Sequence, residues 1–405
     1  MLGSTLNRMI FWELVRVFLL SLGALTGLVL VVMSVQQAAQ LGLSLAQLIR
    51  SIPLLVPSIL PIAIPATTLF SACVVYGRLA HDNEVIALKA AGVHLFGIVK
   101  PTILLGVLAT GTTAALYHTT IPRTQQMFYG QILADPEEVL YNMIRRDRRL
   151  VHQSLPYVLF ARDVQGKRLI DVVVKRKRKD AKPGESPYDF VARMHEAQLR
   201  VDADSGTMSI VPDRFVLDGA NANGSSASTE FKMDLPDSVS GKDARLRISA
   251  LTWDEFPDRI AAVRAERDEL IKQRDAYQAE VEKSYDIKVR TQGMDELKGL
   301  KFGIDAKTRQ VRNLEAEVHA RPALAVSCLV FALIGCPVGI WANRADYLST
   351  FVVCFIPTLL VYYPLLLAGS DVGKTGKVPL WLGCWSADIV MGAVGVLLMW
   401  RLLRR

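Results

Sequence analysis

The segment that comes nearest to a catalytic motif is Ala368-Gly-Ser-Asp-Val-Gly-Lys-Thr375, which has most of the residues of a phosphate-binding loop. Such a loop needs a glycine, four further residues and then Gly-Lys-Ser/Thr between a strand and a helix, so that backbone N–H groups surround a nucleotide phosphate. Here position 368 is alanine, Gly369 comes one residue too late, and the segment follows a long apolar run. We interpret it as a polar turn between two membrane spans.

The cysteines and histidines have no spacing that predicts a metal site. The sequence contains neither CxxC nor HExxH, which are the short patterns that place ligands around zinc. All five cysteines fall in apolar runs: Cys73, Cys328, Cys336, Cys354 and Cys384. We therefore predict no metal site, no cofactor and no catalytic residue.

Asp388 is the one acidic residue inside the last apolar run. An ionisable side chain inside a membrane is costly and is a functional candidate by default. The alternative is that Asp388 faces the interior of a helix bundle, bonded to Ser386 or to a neighbouring span.

These residues belong to a chain in which six apolar runs are split three and three around about two hundred hydrophilic residues. Each run has 19 or more residues with few charges, at 17–35, 52–77, 98–120, 323–341, 347–369 and 378–400. At ~1.5 Å per residue, 19 helical residues cover ~29 Å, the hydrocarbon thickness of a bilayer. The predicted fold is an α-helical membrane protein with six transmembrane helices, 1–3 within 1–120 and 4–6 within 322–405.

The orientation follows from Lys and Arg in the short segments. One side has nine of them: Arg8, Arg16, Arg78, Lys89, Lys100, Arg344, Arg401, Arg404 and Arg405. The other side has three: Arg50, Lys374 and Lys377. The positive-inside rule places both termini in the cytoplasm and 121–322 outside, in the periplasm of a cell with two membranes. The net charge of +8 therefore does not indicate nucleic-acid binding.

The hydrophilic middle has two parts. Within 121–254, short β-branched and aromatic runs separated by turn clusters predict an inserted β domain, either a sandwich or a jelly roll. The predicted strands are 157–160, 169–174, 188–191, 198–201, 207–210 and 214–217. Segment 255–321 is charged and helical in propensity, which predicts a helical hairpin or stalk with a turn at Thr291-Gln-Gly293. One long helix is the alternative.

The segment 79–94 joins spans 2 and 3 and is predicted to form a short helix from Glu84, capped by Asn83 and ended by Gly92. Val85, Leu88 and Ala91 then share an apolar stripe. Such a helix could dock in a groove of a cytoplasmic partner, with Glu84 beside a basic group. The alternative is an ordinary helix at the membrane surface.

With these features the chain resembles the LptF/LptG family, the permeases of the lipopolysaccharide export ABC transporter. The resemblance covers the 3+3 spans, the external β domain, the Pro-rich span 2 that leads to Gly77-Arg-Leu, and Leu88-Lys-Ala-Ala-Gly92. It also covers the run from Arg321 to Ile340. The Gly-Arg-Leu start and Ala-Ala-Gly end are closer to the LptF side.

The resemblance implies a transporter subunit that is not an enzyme, with ATP hydrolysed on a separate chain, and it implies partners. A paralogous six-span permease pairs with this chain, and both sit on a cytoplasmic ABC ATPase dimer through Glu84, Val85, Leu88, Ala91 and Gly92. Spans 1 and 5 line a cavity for lipopolysaccharide or a related lipid, and periplasmic jelly-roll bridge proteins receive it. The implied location is the cell inner membrane. The cavity candidates are Gln36, Gln37, Arg50, Phe355 and Tyr362.

Family members commonly carry basic residues near the outer end of span 1, but Ser34 to Gln40 has none. The sequence therefore leaves open whether the partner makes the main cargo contacts or the cargo is a different lipid. The rival to the permease is a six-span membrane receptor or scaffold with a periplasmic binding domain. Its usual cytoplasmic signalling domain is missing here, which favours the permease.

Overall fold

The structure is a computed structural model that describes residues 5–404. The residues outside this description are 1–4, 42–44, 134–135, 152–156, 178–187, 203–206, 214, 220–223, 227–230, 235–247, 284–286, 342–346 and 405. The chain divides into two compact units. The helical unit contains 1–27, 59–121 and 251–405, and the β unit contains 28–58 and 122–250.

Helices make up most of the described chain outside its β-strands. They are α1 Thr5–Leu41, α2 Leu45–His81, the short α3 Glu84–Ala90, α4 Leu95–Ala115, α5 Ile121–Leu133 and α6 Pro136–Asp147. After the strands come α7 Glu255–Lys283, α8 Ile287–Trp341, α9 Tyr347–Thr375 and α10 Leu380–Arg404. A π-helical segment, Leu116–Thr120, connects α4 to α5, and a 3₁₀ turn, Ile248–Ala250, precedes α7.

Within the described residues, five helical stretches are long and apolar enough to cross a membrane. They are Thr5–Gln37, Leu48–His81, Leu95–Phe128, Glu296–Trp341 and Leu380–Arg404. The apolar run 347–369 forms α9, but several of its side chains lie outside the description. The protein is a helical membrane protein with five candidate spans, and the sixth stays a prediction.

Close packing between α8 and its neighbours uses glycines. A Cβ on Gly335 would lie 2.9 Å from Cβ of Ala72 in α2, and one on Gly339 would lie 3.0 Å from the Cys73 carbonyl oxygen. The two glycines form a Gly-x-x-x-Gly pair, which lets two membrane helices approach closely. Gly106 of α4 meets α8 at a similar distance, with a Cβ position 2.9 Å from Ala332.

Helices α7 and α8 lie side by side and run antiparallel. Arg264 pairs with Glu315, and Lys307 pairs with Glu266 at 2.5 Å. The turn predicted at Thr291-Gln-Gly293 is wrong, because these residues lie inside α8 and α7 ends at Lys283. Gly293 instead allows α7 and α8 to pack closely, since a Cβ there would lie 2.6 Å from a methyl group of Val281.

The β unit contains one antiparallel sheet of eight described strands. They are β1 Arg149–Val151, β2 Tyr157–Gln165, β3 Arg168–Lys177, β4 Tyr188–Asp202, β5 Thr207–Pro212, β6 Phe215–Gly219, β7 Gly224–Ser226 and β8 Phe231–Asp234. The order is β1-β2-β3-β4-β5-β8, and β6 pairs with β4 and β7. Strand β4 pairs with β5 over Ala197–Asp202 and with β6 over Phe190–Met194.

Two expectations about this unit were wrong in detail. The predicted strands 188–191 and 198–201 are one strand, β4, because no turn residue separates them. The segment after 121 begins with the helices α5 and α6 rather than with strands. Tyr141 of α6 fixes that helix to the sheet, since its hydroxyl donates to the Lys167 carbonyl at 2.7 Å and accepts from the Leu199 N–H at 2.8 Å.

Candidate coupling and lipid-contact sites

The chain reverses between α2 and α3 through a left-handed residue. Asn83 has φ 58° and makes no side-chain hydrogen bond to the first turn of α3, so the predicted capping role was wrong. The helix still begins at Glu84, where the Ala87 N–H donates to the Asn83 carbonyl at 3.0 Å. Asparagine tolerates positive φ better than most residues, and here that tolerance serves the reversal.

The end of α3 follows the prediction. Gly92 has φ 81°, and its N–H donates to the Lys89 carbonyl while the Val93 N–H donates to the Leu88 carbonyl, both at 3.0 Å. A glycine with positive φ commonly ends a helix, because the N–H groups at and after it bond to the last carbonyls of the helix. Two residues later, Nδ1 of His94 accepts from the Phe96 N–H at 3.1 Å and caps α4.

The apolar stripe of α3 faces the protein rather than solvent. Val85 is 5% exposed and packs in one buried cluster with Leu79 and Leu95, and Leu88 packs against the same cluster. The expectation that this stripe is open to a partner was therefore wrong for Val85. The exposed surface is formed by Ile86, which is 57% exposed, and by alanines and Gly92 at the end of the helix: Ala87, Ala90 and Ala91.

Two polar contacts tie the helices around α3 together. Arg78 of α2 pairs with Glu13 of α1 at 2.5 Å. The Tyr76 hydroxyl, fully buried, donates to the Ile98 carbonyl of α4 at 2.7 Å. Glu84 is half-buried at the start of α3. The short helix therefore rests on a set of helices that are linked to one another.

The lipid-cavity candidates are not assembled into one described site. Gln36 and Arg50 are exposed and Gln37 is half-buried, all in the β unit. The side chain of Phe355 lies outside the description. Tyr362 is 1% exposed, so its prediction as a cavity residue was wrong. Its ring packs in the helical core, edge to face with Phe331 at 4.9 Å between centroids.

Asp388 is bonded to a neighbouring helix, one of the alternatives that the sequence left open. The Tyr362 hydroxyl donates to its Oδ1 at 3.3 Å, whereas Ser386 donates to the Gly383 carbonyl. The segment 368–375 is the last part of α9, so neither a phosphate loop nor the predicted turn is present there. Gly376, with φ 80°, ends the helix.

Arg321 begins one of the runs that carry the family resemblance, but the sequence predicted none of its contacts. It is 3% exposed, donates to the Leu251 carbonyl at 3.1 Å, and lies 4.6 Å from the Phe256 ring centroid. An arginine at the start of an apolar run, followed by proline, was the available signal. The spacing of Gly335 and Gly339 was likewise a readable signal for close helix packing.

The decisive comparison is with protein families. Residues 8–401 match the model described as lipopolysaccharide export system permease LptF/LptG. The chain belongs to the LptF/LptG family. It is a permease subunit of the lipopolysaccharide export ABC system, a multi-pass membrane protein, and not itself an enzyme. No individually curated protein matches the sequence. Membership in LptF/LptG favours the export permease over the receptor or scaffold.

Proposed function

We propose that this chain is the LptF-like member of a pair of six-span permeases standing on a cytoplasmic ATPase dimer. Both termini lie on the cytoplasmic side of the inner membrane, which the nine-to-three distribution of Lys and Arg between the two sides supports. The pair takes lipopolysaccharide or a related lipid from the outer leaflet. The segment 121–254, as a jelly roll, passes it to a periplasmic bridge, and 255–321 forms a helical stalk.

The observation that carries the coupling role is the division of α3 into two faces. Val85 is buried with residues of α2 and α4, so a displacement of α3 reaches both helices. Ile86 is exposed on the other face, and Glu84 is half-buried at the first position of the helix. The contact with the ATPase is therefore made by Ile86, Ala90 and Ala91 rather than by Val85, and Glu84 pairs with a basic group of the ATPase.

The test separates docking from transmission. Glu84→Arg and Ile86→Asp should abolish co-purification of the ATPase and lipopolysaccharide export, because both alter the exposed face. Val85→Ala should preserve co-purification but lower export per ATP hydrolysed, since it removes buried methyl groups that link α3 to α2 and α4. Co-purification, ATPase rate and arrival of lipopolysaccharide at the outer membrane are the three measurements.

Arg401→Ala, an exposed change at the end of α10, is the matched control and should leave all three measurements at wild-type values. If Glu84→Arg and Ile86→Asp left ATPase co-purification and export intact, α3 would not be the coupling element.

A further inference from the structure

Asn7 of α1 and the first half of α4 line a groove that includes none of the residues assigned to coupling or to the lipid cavity. Its volume is about 490 Å³, and its lining is apolar except for Asn7 and Lys100. The apolar wall includes Phe96, Leu104 and Val107. A concave volume of this size, apolar with a few polar groups, is typical of a small-ligand site.

The groove has the length of one membrane leaflet. Its lining on α4 extends from Phe96 to Val107, eleven helical steps, which correspond to about 17 Å at ~1.5 Å per residue. Half of a ~30 Å hydrocarbon core is ~15 Å. Both helices belong to candidate membrane spans, so the groove lies on helices that lipid chains can reach.

Polar groups are concentrated at one end of the groove. The ammonium of Lys100 lies 5.2 Å from the Phe96 ring centroid and is exposed, and the exposed Arg8 follows Asn7. Val107, at the other end, is 51% exposed and apolar.

We propose that this groove binds one anionic glycerophospholipid, with the phosphate at Lys100 and an acyl chain along Leu104 and Val107. A basic pocket between membrane helices is a recognised headgroup site. The groove lies at the end of α4 beside α3, which the charge distribution predicts to be cytoplasmic. The bound lipid is therefore a structural lipid of the inner leaflet and not the exported cargo.

The position of the groove gives the lipid a consequence for coupling. Ile10 and Leu14 of α1 share one buried cluster with Val85 of α3 and with Ile98 and Val99 of α4. A lipid that fills the space between α1 and α4 supports the cluster on which α3 rests.

Native mass spectrometry of the full-length chain, purified with its co-purifying subunits, tests this inference. Phosphatidylglycerol or phosphatidylcholine with the same acyl chains is added to delipidated protein. We expect preferential retention of phosphatidylglycerol, and about fivefold weaker retention in Lys100→Ala. Val107→Trp should fill the apolar end and also reduce retention. Leu108→Trp is its matched control, since Leu108 is 52% exposed on the same helix but does not line the groove.

Equal retention of the two lipids, or unchanged retention in Val107→Trp, would overturn the inference. If Val107→Trp instead released a second membrane subunit while lipid retention stayed constant, the groove would hold a protein and the lipid assignment would be wrong. Thermal unfolding of each variant identifies one that has failed to fold. Lipid retention is measured without export, so failure of the coupling proposal and failure of this one are distinguishable.

Discussion

The phenol of Tyr362 in α9 donates a hydrogen bond to the carboxyl group of Asp388 in α10, and both side chains are buried. The second carboxyl oxygen of Asp388 has no hydrogen-bond partner among the described residues. A buried acid with so few partners is sensitive to the loss of any one of them. The hydrogen bond therefore links α9 to α10, and removing its donor should leave Oδ1 of Asp388 buried without a hydrogen bond.

Tyr362→Phe should lower the stability of the purified protein by about 1–3 kcal/mol, because Oδ1 of Asp388 loses its donor without gaining water. The measurement is the thermal unfolding midpoint in mild detergent. Tyr363→Phe is the control, since Tyr363 is half-buried and its ring lies 5.5 Å from that of Tyr362. Equal midpoints for the two variants would contradict the role of the hydrogen bond.

Gly335→Leu should separate α8 from α2. A Cβ at this position already lies 2.9 Å from Cβ of Ala72, and the rest of a leucine has no space. Overpacking of this kind typically costs about 1–3 kcal/mol. The yield of folded protein after detergent extraction measures the effect. Gly111→Leu in α4 is the control, because nothing lies within 4 Å of its Cβ position. A comparable loss in Gly111→Leu would show that general effects of leucine dominate.

The α7–α8 hairpin should weaken in acid. The Lys307 ammonium holds the pKa of Glu266 below its usual range. Because the folded-state pKa is the lower one, the pair adds stability above the unfolded value of about 4.3, and this stability is lost as pH falls through the lowered pKa. Glu266→Gln should therefore destabilise the hairpin at pH 7, by less than ~1 kcal/mol for a half-exposed pair.

Hydrogen exchange of α7, compared between variant and wild type at the same pH, measures this difference. At a pH below the lowered pKa of Glu266, where its carboxyl group is protonated in the folded protein as well, the two proteins should exchange alike. Glu269→Gln, an exposed change on the same helix, should match wild type at both pH values. A Glu266→Gln effect that persisted at low pH would show that packing, not charge, is responsible.

Tyr141→Phe should loosen the β unit. It removes one donor to the Lys167 carbonyl and one acceptor for the Leu199 N–H, at a cost of about 1–3 kcal/mol. Burial raises the pKa of the Tyr141 phenol. Its contribution is therefore present below about pH 10 and is lost as pH rises through the raised pKa. Urea unfolding followed by hydrogen exchange of β3 and β4 should show less alkaline weakening in Tyr141→Phe than in wild type.

Tyr157→Phe, at a half-buried position on β2, provides the comparison for this unit. If both tyrosine variants lost protection in β3 and β4 to the same extent, the two hydrogen bonds of Tyr141 would not be the cause.

The helices and the limits of α3 could be predicted because apolar run length and a left-handed glycine are local signals. Which face of α3 is buried could not be predicted, since Val85 and Ile86 are adjacent apolar residues of similar size. Only the presence of Leu79 and Leu95 decides that Val85 is the one inside. The exposed face of the coupling site was therefore beyond local sequence reasoning.

Glycine was the least reliable local signal for where a helix ends. Gly92 ends a helix with positive φ, whereas Gly293 lies inside α8 and permits the approach of Val281. Both have polar or charged residues nearby, so composition does not distinguish the two uses. The difference lies in the partner helix, which is remote in sequence. Tyr362 was misassigned for the same reason, because its neighbours Phe331 and Asp388 come from other spans.

Helix α8 has 55 residues and includes both the second arm of the hairpin and a candidate membrane span. At ~1.5 Å per residue it is about 82 Å long, more than twice the hydrocarbon thickness. Its arm from Ile287 to Arg321 alone measures about 51 Å. A rod of this length amplifies rotation, because a tilt of about 10° moves the end of a straight arm of about 51 Å through about 9 Å. Pro322, where the arm meets the membrane part, removes one helical hydrogen bond and so sets how much of a rearrangement near Gly335 reaches the opposite tip.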